Sequence, residues 1–317
     1  MGSMAAALFP GAPLSKARST SPLRATNLSI QHVALGDVLF KTWYPSYYPE
    51  GLVGRELDRL YVCQWCFKYC PDLVPFLAHR KFCSARSESP PGQLIYSREN
   101  YAIYEVDGEG HQLFSQNLSL FAKLFLDNKS VFFDVASFNF YLLAHKTTTH
   151  HLPASQPQII GFFSKEKMSW DNNNLACILV FPPWQRKGLG KILMGISYEL
   201  SRLEGRIGGP EKPLSELGRM GYLKFWQARV VGALLDLRNK SALSVEEIAD
   251  ACWMLPEDVI TTIKEMDCLE TKKMKNDSSV MINKARIRAW LIESKIDLTA
   301  PVDEAGFAED YLADDGE

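Results

Sequence analysis

The sequence predicts a mixed α/β fold, with an α/β core between an N-terminal metal-binding lobe and a C-terminal helical lobe. Three observations indicate this organisation. The unbroken apolar run at residues 175–181 reads as a strand buried on both faces, and it leads through a glycine-bearing turn into an amphipathic helix. Cysteine and histidine residues at metal-ligand spacing precede this unit. Three short helical patterns follow it.

Length and composition limit the classes of protein that the chain can be. With 317 residues it can bury a large core, as one large domain or two to three lobes. Its 35 basic and 37 acidic residues give a formal net charge of −2, which argues against bulk electrostatic binding to nucleic acid. No apolar run approaches the length of a membrane span, and no signal-peptide pattern is visible. We therefore expect no membrane association, and reduced thiols among the seven cysteines.

The N-terminal lobe carries the strongest local signal in the chain. Residues 1–27 are rich in Ala, Ser and Pro and are predicted to be disordered, whereas residues 28–90 have a globular pattern. Four residues with C-x2-C-x12-H-x3-C spacing predict a closed, structural zinc site: Cys63, Cys66, His79 and Cys83. A DNA-reading finger is the alternative, but residues 72–78 are apolar where base-reading side chains should be, which favours a scaffold role. Cys70 is a competing ligand or a buried thiol.

Residues 91–240 have the pattern of the α/β core. Apolar and β-branched runs predict strands, a helical apolar period predicts a helix, and Asp107-Gly108 predicts a hairpin turn. The predicted strands are residues 94–96, 102–106, 131–135, 138–144 and 159–164, and the predicted helix is residues 118–126. Residues 146–157 form a polar loop, and its two histidines have no matching ligands nearby, so we interpret it as solvated.

The C-terminal third reads as helices followed by a tail. After a turn-rich stretch at residues 208–213, a long helix is predicted over residues 215–237. Residues 241–297 then form a helix-turn-helix lobe, with a capping box at Ser244 and Glu247. Further helices are predicted from Pro256 and over residues 284–293. The tail, residues 298–317, is acidic and expected to be mobile. The net charge argues against DNA reading as the main role of this lobe but leaves direct DNA contact open.

The turn after the apolar run predicts an anion site. A helix that begins at a glycine-bearing turn directs free backbone N–H groups and the positive end of its dipole at whatever lies above it. The dinucleotide fingerprint fails because position 193 is Leu, and the phosphate loop of nucleotide hydrolases fails because Ile192 follows Lys191. Gln185-Arg186-Lys187-Gly188-Leu189-Gly190 fits the Q/R-x-x-G-x-G/A turn by which acetyl-CoA-dependent N-acetyltransferases hold a pyrophosphate. A simple helix-capping loop is the alternative.

Several segments together resemble the MYST family of histone acetyltransferases over residues 28–295. Besides the zinc spacing and the turn, they are YEVDG (104–108), NLSLFAKLFLD (117–127), GFFSKEK (161–167), SYELS (197–201) and PEKPLSELG (210–218). KTWYPS (41–46) and WCF (65–67) are most similar to the fungal "something about silencing" branch, which acts on the histone four tail. The resemblance implies a GNAT-like acetyltransferase core between the zinc-finger lobe and the helix-turn-helix lobe.

The resemblance also implies roles for individual residues. Glu211 matches the general base, Cys177 the active-site cysteine, and Lys129 the lysine that becomes acetylated by the enzyme itself. The cofactor-binding positions implied for acetyl-CoA are Ile178, Leu179, Val180, Gln185, Arg186, Lys187, Gly188, Leu189, Gly190, Lys191 and Ser215. Lys224 departs from the serine of relatives that touches the cofactor, and the loop at residues 146–157 is longer than usual.

The chemistry of acetyl transfer makes a base necessary, because a free lysine has a pKa of about 10.4 and is protonated at neutral pH. Glu211 is the expected base, and a surface carboxylate paired with Lys212 is the alternative. Cys177 either attacks the thioester or lines the acetyl pocket, and direct transfer is favoured. The leading hypothesis is a nuclear histone lysine acetyltransferase whose partners are a histone tail or nucleosome and accessory subunits of a chromatin complex. A catalytically weak chromatin-binding subunit and a small-amine acetyltransferase are the alternatives.

Overall fold

The computed structural model describes most of the chain in continuous stretches. The described residues are 30–53, 56–146, 157–236, 244–274, 277–282, 284–309 and 311. The N-terminal stretch predicted to be disordered therefore lies outside them, as do residues 147–156 of the predicted polar loop, with both of its histidines.

The N-terminal lobe is a small sheet closed by one helix. Its elements are β1 (Ile30–Leu35), β2 (Val38–Lys41), α1 (Glu50–Val53), β3 (Leu57–Val62), β4 (Tyr69–Cys70) and α2 (Leu73–Phe82). The sheet order is β2-β1-β3-β4, in which β1 and β3 run parallel and the other pairs antiparallel. Apolar residues of β1 and β3, such as Val33 and Leu60, are fully buried and belong to the same hydrophobic cluster as the central sheet.

The central sheet has five antiparallel strands in the order β10-β8-β7-β6-β5. Its strands are β5 (Gln93–Arg98), β6 (Tyr101–Asp107), β7 (Phe138–His145), β8 (Gln158–Glu166) and β10 (Cys177–Val180). Helix α3 (Gln112–Lys123) covers one face, and α4 (Leu189–Leu203) contributes Leu193 and Ile196 to the cluster on the other. The turn predicted to bind an anion lies where β10 leads towards α4.

Two predictions for this region are wrong. Asp107-Gly108 is not a hairpin turn, because β6 ends at Asp107 and the next element of the chain is α3. The Asp107 carboxylate accepts the N–H groups of Glu109 and Gly110. The hairpin lies earlier, between β5 and β6. Residues 131–135 do not form a strand: they cross from α3 to β7, and only Val135 is fully buried there. In this segment Phe132 packs against Tyr47 and against Phe133, at centroid distances of 4.8 and 6.3 Å.

The predicted strand at residues 175–181 is interrupted. Ala176 separates β9 (Asn173–Leu175) from β10, and its N–H donates to the carbonyl of Ser164 at 2.8 Å. β10 continues as the edge strand of the central sheet, whereas β9 pairs in parallel with β11 (Gly209–Pro210). Within β10 only Leu179 is buried, so the prediction of a strand buried on both faces is wrong for its half-buried neighbours. Because of this interruption, β10 belongs to the central sheet, whereas β9 lies beside the segment that contains Glu211.

The C-terminal lobe confirms the predicted helices and adds a hairpin. It contains α5 (Glu216–Asp236), α6 (Val245–Cys252), α7 (Pro256–Glu265) and α8 (Lys284–Ser294). The capping box is present, since Ser244 and Glu247 each accept the backbone N–H of the other. Between α7 and α8 the chain forms the antiparallel pair β12 (Leu269–Met274) and β13 (Asp277–Ile282), which makes the lobe a winged helix-turn-helix. The lobe packs on α4 through Tyr198, whose hydroxyl accepts the indole N–H of Trp226 at 2.7 Å.

Part of the tail is packed on the core, so the prediction of a mobile segment is wrong there. The ring of Phe307 packs edge-on against Tyr96 at 5.2 Å, and Val302 is buried against the centre of α4. Asp303 pairs with Arg98 at 2.8 Å. The sequence pattern missed this contact because two isolated apolar residues among acidic ones give no periodicity.

Candidate active site and metal centre

The four predicted zinc ligands converge. Their ligand atoms all lie within 4.8 Å of one another: Cys63, Cys66, His79 and Cys83. The Cys66 Sγ lies 3.3 Å from the His79 Nε2, and the Cys83 Sγ lies 3.8 Å from the Cys66 Sγ and 3.9 Å from the Cys63 Sγ. Four ligands around zinc at ordinary bond lengths place their sulfur atoms about 3.8 Å apart. The site therefore fits a tetrahedral zinc ion without rearrangement.

Local structure explains why these ligands meet. The Cys63 N–H donates to the Lys68 carbonyl and the Phe67 N–H to the Cys63 carbonyl, both at 2.9 Å, which closes the knuckle formed by residues 63–68. Helix α2 presents His79 and ends at Cys83. A hydrogen bond with Cys66, acting against burial, lowers the pKa of Cys63 to about 5. A thiol with a lowered pKa is readily converted to the thiolate that zinc binds.

The knuckle is joined to the central core by one aromatic residue. Phe67 is fully buried, and its ring packs against Phe114 and Phe121 of α3 and against Phe181, at centroid distances of 5.6, 5.4 and 6.0 Å. Phe181 directly follows β10 and precedes the anion-binding turn. The zinc centre thus supports the chain segment that leads into the turn, which is the geometry of a scaffold.

The turn at residues 185–191 leaves open space above its backbone. Gln185 fixes its start, because the side-chain amide donates to the Val180 carbonyl at 2.8 Å. Gly188 precedes α4 with φ +79, and no other heavy atom lies within 4 Å of where a Cβ on Gly188 or Gly190 would be. Leu189 is buried and anchors the helix, whereas Arg186 and Lys187 are exposed. The first N–H groups of a helix have no partner within it, so this space suits a pyrophosphate.

Strand β10 offers a second row of backbone groups. It pairs with β8 on one side, with Ile178 opposite Phe163 and Val180 opposite Gly161. In the part of the chain that the structure describes, no strand pairs with its other side. The predicted cofactor positions Ile178, Leu179 and Val180 therefore form an open edge next to the turn, and an extended ligand could hydrogen-bond to it.

Glu211 lies beside the end of β9, next to the interruption at Ala176. Its N–H donates to the Leu175 carbonyl at 2.8 Å, which extends the pairing of β11 with β9. Leu175 is two residues before Cys177, so the backbone places Glu211 beside the start of β10. The alternative of an ion pair with Lys212 is not observed among the described residues: the Lys212 ammonium contacts Glu257 and Asp258 instead. The Glu211 side chain is partly buried but still reachable from solvent.

Lys129 completes the cluster. It is 6% exposed, and its Nζ lies 4.0 Å from the Cys177 Sγ. Its charge also acts on Glu211, whose pKa is raised by burial and by Glu166 and lowered by Lys129, with a net rise. A raised pKa makes a carboxylate a stronger base once it is ionised. Glu211, Cys177 and Lys129, which are far apart in sequence, therefore lie around one site.

Ser215 has a structural role in addition to its predicted one. Its hydroxyl accepts the Gly218 N–H at 3.1 Å, so it caps the first turn of α5. Ser215 is exposed, and its hydroxyl hydrogen stays available to a ligand. Lys224, where the sequence departs from the family pattern, is exposed on the same helix.

Sequence reasoning missed three charged residues near the site. Glu166, at the end of β8, raises the pKa of Glu211, and Lys212 and Asp258 join the Glu211 turn to the C-terminal lobe. Glu166 follows the predicted strand at residues 159–164, and nothing in the sequence connected it to position 211. The Lys212–Asp258 pair spans 46 residues and left no local pattern.

The fold and site define an α/β protein with a Cys3His cluster, an open turn at the start of α4 and an accessible carboxylate, Glu211, next to Leu175. The sequence model of the MOZ/SAS family matches residues 89–305, and the model of the MYST family zinc finger domain matches residues 28–83. The chain belongs to the MOZ/SAS (MYST) family, and its Cys3His cluster is the zinc site of the family's zinc finger.

Relatives of known name are similar over most of the chain. "Histone acetyltransferase SAS2" of Saccharomyces cerevisiae is 43% identical over 215 residues, which is 67% of this chain and 61% of that protein. "Histone acetyltransferase mst2" of Schizosaccharomyces pombe is 36% identical over 284 residues, 88% of this chain and 66% of that protein. "Histone acetyltransferase MOF" of Drosophila melanogaster is 40% identical over 249 residues, 78% of this chain and 29% of that protein. The matched region thus covers between 29% and 66% of the length of these relatives.

Among the described residues, none of the helices combines the length and the apolar character that crossing a bilayer requires.

Proposed function

We propose that the protein is a histone lysine acetyltransferase that moves an acetyl group from acetyl-CoA to a lysine side chain of a core-histone tail. The observation that carries the proposal is the arrangement of three features around strand β10. These are the open turn at residues 185–191, the free edge of β10, and the accessible carboxylate of Glu211. The family and the names of the relatives support the same activity.

The turn and β10 hold the donor in this proposal. N–H groups at the start of α4 and the cations of Arg186, Lys187 and Lys191 bind the pyrophosphate. The edge of β10 holds the extended arm through backbone hydrogen bonds, and Ser215 contacts it near the thioester. Bound acetyl-CoA supplies an activated thioester carbonyl. Backbone N–H groups around Ile178 stabilise the negative charge that develops on that carbonyl oxygen.

Glu211 is the general base. The incoming lysine arrives as an ammonium, and the ionised Glu211 carboxylate accepts one proton so that the neutral amine can attack the thioester carbonyl. As the C–N bond forms the C–S bond breaks, and the departing thiolate takes up the second proton of the amine and leaves as the thiol. The raised pKa of Glu211, due first to burial and then to Glu166, brings its basicity closer to that task. Loss of Glu211 should therefore reduce turnover about 10²-fold or more while leaving acetyl-CoA binding intact.

Cys177 and Lys129 have supporting roles. We favour direct transfer in a ternary complex, with the half-buried Cys177 as part of the acetyl pocket. Lys129 is the proposed site of autoacetylation. Because its positive charge lowers the pKa of Glu211, acetylation of Lys129 would remove that effect and raise the pKa further.

The finer assignments rest on the resemblance to SAS2 and on the segments quoted above. The substrate is the histone four tail, the location is the nucleus, and accessory subunits present the nucleosome. The zinc site acts as a scaffold and takes no part in the transfer.

Incubation of the full chain with labelled acetyl-CoA and histone octamers tests the proposal. Wild-type protein and the matched control Glu293→Gln, an exposed carboxylate of α8, should label histone four, and Glu211→Gln should not. Full activity of Glu211→Gln would remove the proposed base. Labelling that a polyamine abolishes by serving as the better acceptor would point to a small-amine acetyltransferase instead.

The winged helix lobe and the zinc knuckle favour one second candidate, a catalytically weak chromatin-binding subunit. Calorimetry separates the two functions. The proposed enzyme binds acetyl-CoA, whereas the binding subunit would show tight, salt-sensitive binding to nucleosomes and no affinity for acetyl-CoA.

A further inference from the structure

The turn that carries Glu211 is held from two sides. On one side β11 pairs with β9, and the Glu211 N–H donates to the Leu175 carbonyl. On the other side the turn contacts the C-terminal lobe, where Gly208 forms a bridge with Met254, immediately before α7. The position of the Glu211 backbone therefore depends on α7 and the residues just before it, which supply none of the residues of the predicted site.

The next residue, Lys212, makes the polar part of this contact. Its Nζ lies 2.7 Å from the Asp258 Oδ1 and 2.5 Å from the Glu257 Oε1. The two carboxylates differ in environment, since the Asp258 side chain is 3% exposed and the Glu257 side chain is 68% exposed. An ion pair in water contributes little, whereas a buried charge that loses its partner is strongly unfavourable. Asp258 is therefore the partner that matters.

The buried negative charge of Asp258 is compensated by the ammonium of Lys212. The second oxygen of Asp258, Oδ2, is buried and accepts no hydrogen bond from the residues that the structure describes. Burial raises the pKa of Asp258, and the hydrogen bond from Lys212 opposes this rise. Asp258 lies in the first turn of α7, where the helix dipole favours a negative charge. The ammonium of Lys212 is thus bound to a fixed anion on a rigid helix.

The backbone of the turn also packs directly on α7. A Cβ added to Gly209 would lie 2.8 Å from the Asp258 Oδ2 and 2.9 Å from the Leu255 Cδ1. No side chain fits between the two segments without separating them. This close approach brings the Lys212 ammonium within reach of a carboxylate on the next element.

We propose that Lys212 and Asp258 are positioning residues for Glu211, which means that the ion pair between the turn and the C-terminal lobe fixes the carboxylate that receives the substrate proton. The inference rests on the proposed function. It goes beyond that function by giving the C-terminal lobe a part in catalysis that involves no contact with substrate or acetyl-CoA. A displacement of about 1 Å at a catalytic group costs roughly 10²-fold in rate. Loss of the pair should therefore lower kcat by about ten- to a hundredfold.

Steady-state kinetics on the full chain test the proposal with Asp258→Asn, Lys212→Met, the double variant, and Glu257→Gln as the matched control. Asp258→Asn keeps the shape of the side chain and removes its charge. We expect kcat to fall in both single variants, with the Kd of acetyl-CoA, measured by calorimetry, unchanged within about twofold. Since the two residues act as one unit, the double variant should be no slower than the slower single variant. Glu257→Gln should retain kcat within about twofold.

Three outcomes would overturn the positioning role: a wild-type kcat in Asp258→Asn, effects that multiply in the double variant, or an equal loss of acetyl-CoA affinity. Lys212→Met leaves the buried Asp258 without its partner, whereas the double variant removes both charges, so the double variant decides the matter if a single variant does not fold. If the proposed function itself is wrong, the kinetics differ from all these outcomes, because wild-type protein would then show no turnover. If wild-type protein is active, Glu211→Gln is inactive and Lys212→Met is normal, only the positioning role is refuted.

Discussion

Replacement of Phe67 by alanine tests whether the zinc knuckle and the central core fold as one unit. Phe67 is fully buried and its ring contacts three aromatic residues of the core. Truncation of a buried phenylalanine removes its transfer free energy and leaves a cavity, at a total cost of about 3–5 kcal/mol. Its backbone has φ +57, and this strain is similar for both residues, so the difference reports side-chain packing. We therefore expect the free energy of unfolding of the whole chain to fall by about 3–5 kcal/mol.

Denaturant unfolding followed by both tryptophan fluorescence and circular dichroism measures this change. The matched control is Phe82→Ala in the same lobe, where the side chain is 81% exposed and the expected change is within about 0.5 kcal/mol. The two probes should give coincident transitions for both variants. A separate early transition in Phe67→Ala, with the rest of the curve unchanged, would show that the knuckle is an independent domain and would refute the shared core.

The remaining predictions concern the turn, the base and the metal. Gly190→Val places a side chain in the space above the turn, and it should weaken acetyl-CoA binding, measured by calorimetry, at least about tenfold. The control Gly232→Val, in equally open space on α5, should bind acetyl-CoA normally. Equal affinities of the two variants would contradict the assigned pyrophosphate site. Because the charge of Glu166 raises the pKa of Glu211, Glu166→Gln should lower it and shift the acid limb of the kcat/KM profile to lower pH; a shift to higher pH would contradict the electrostatic account. Cys83→Ser should remove bound zinc, measured by atomic absorption, and destabilise the chain, and retention of both zinc and stability would exclude Cys83 as a ligand.

Much of the site could be predicted because its signals are local in sequence. The zinc ligands lie within 21 residues and follow a spacing set by tetrahedral coordination. The turn at residues 185–191 lies between a strand and an amphipathic helix, so its backbone conformation follows from its neighbours. The capping box at Ser244 is equally local, and the structure confirms it.

Other features required knowledge of the third dimension. The break at Ala176 could not be predicted, because an apolar run gives no sign that its two halves pair with different partners. The β12–β13 hairpin was missed because β12 is mostly polar and neither strand has an alternating pattern. Asp107-Gly108 has the composition of a hairpin turn, but the Asp107 side chain accepts the N–H groups of Glu109 and Gly110, in the turn that precedes α3.

The pH dependence of a single turnover from pre-bound acetyl-CoA to a histone four peptide tests the central claim most directly. In wild-type protein the rate should fall as the pH decreases through the raised pKa of Glu211, because the protonated carboxyl group cannot accept the substrate proton. In Glu211→Gln that acid limb should disappear and the rate should be about 10²-fold lower at neutral pH. An acid limb and a rate in Glu211→Gln equal to those of wild-type protein would contradict the account.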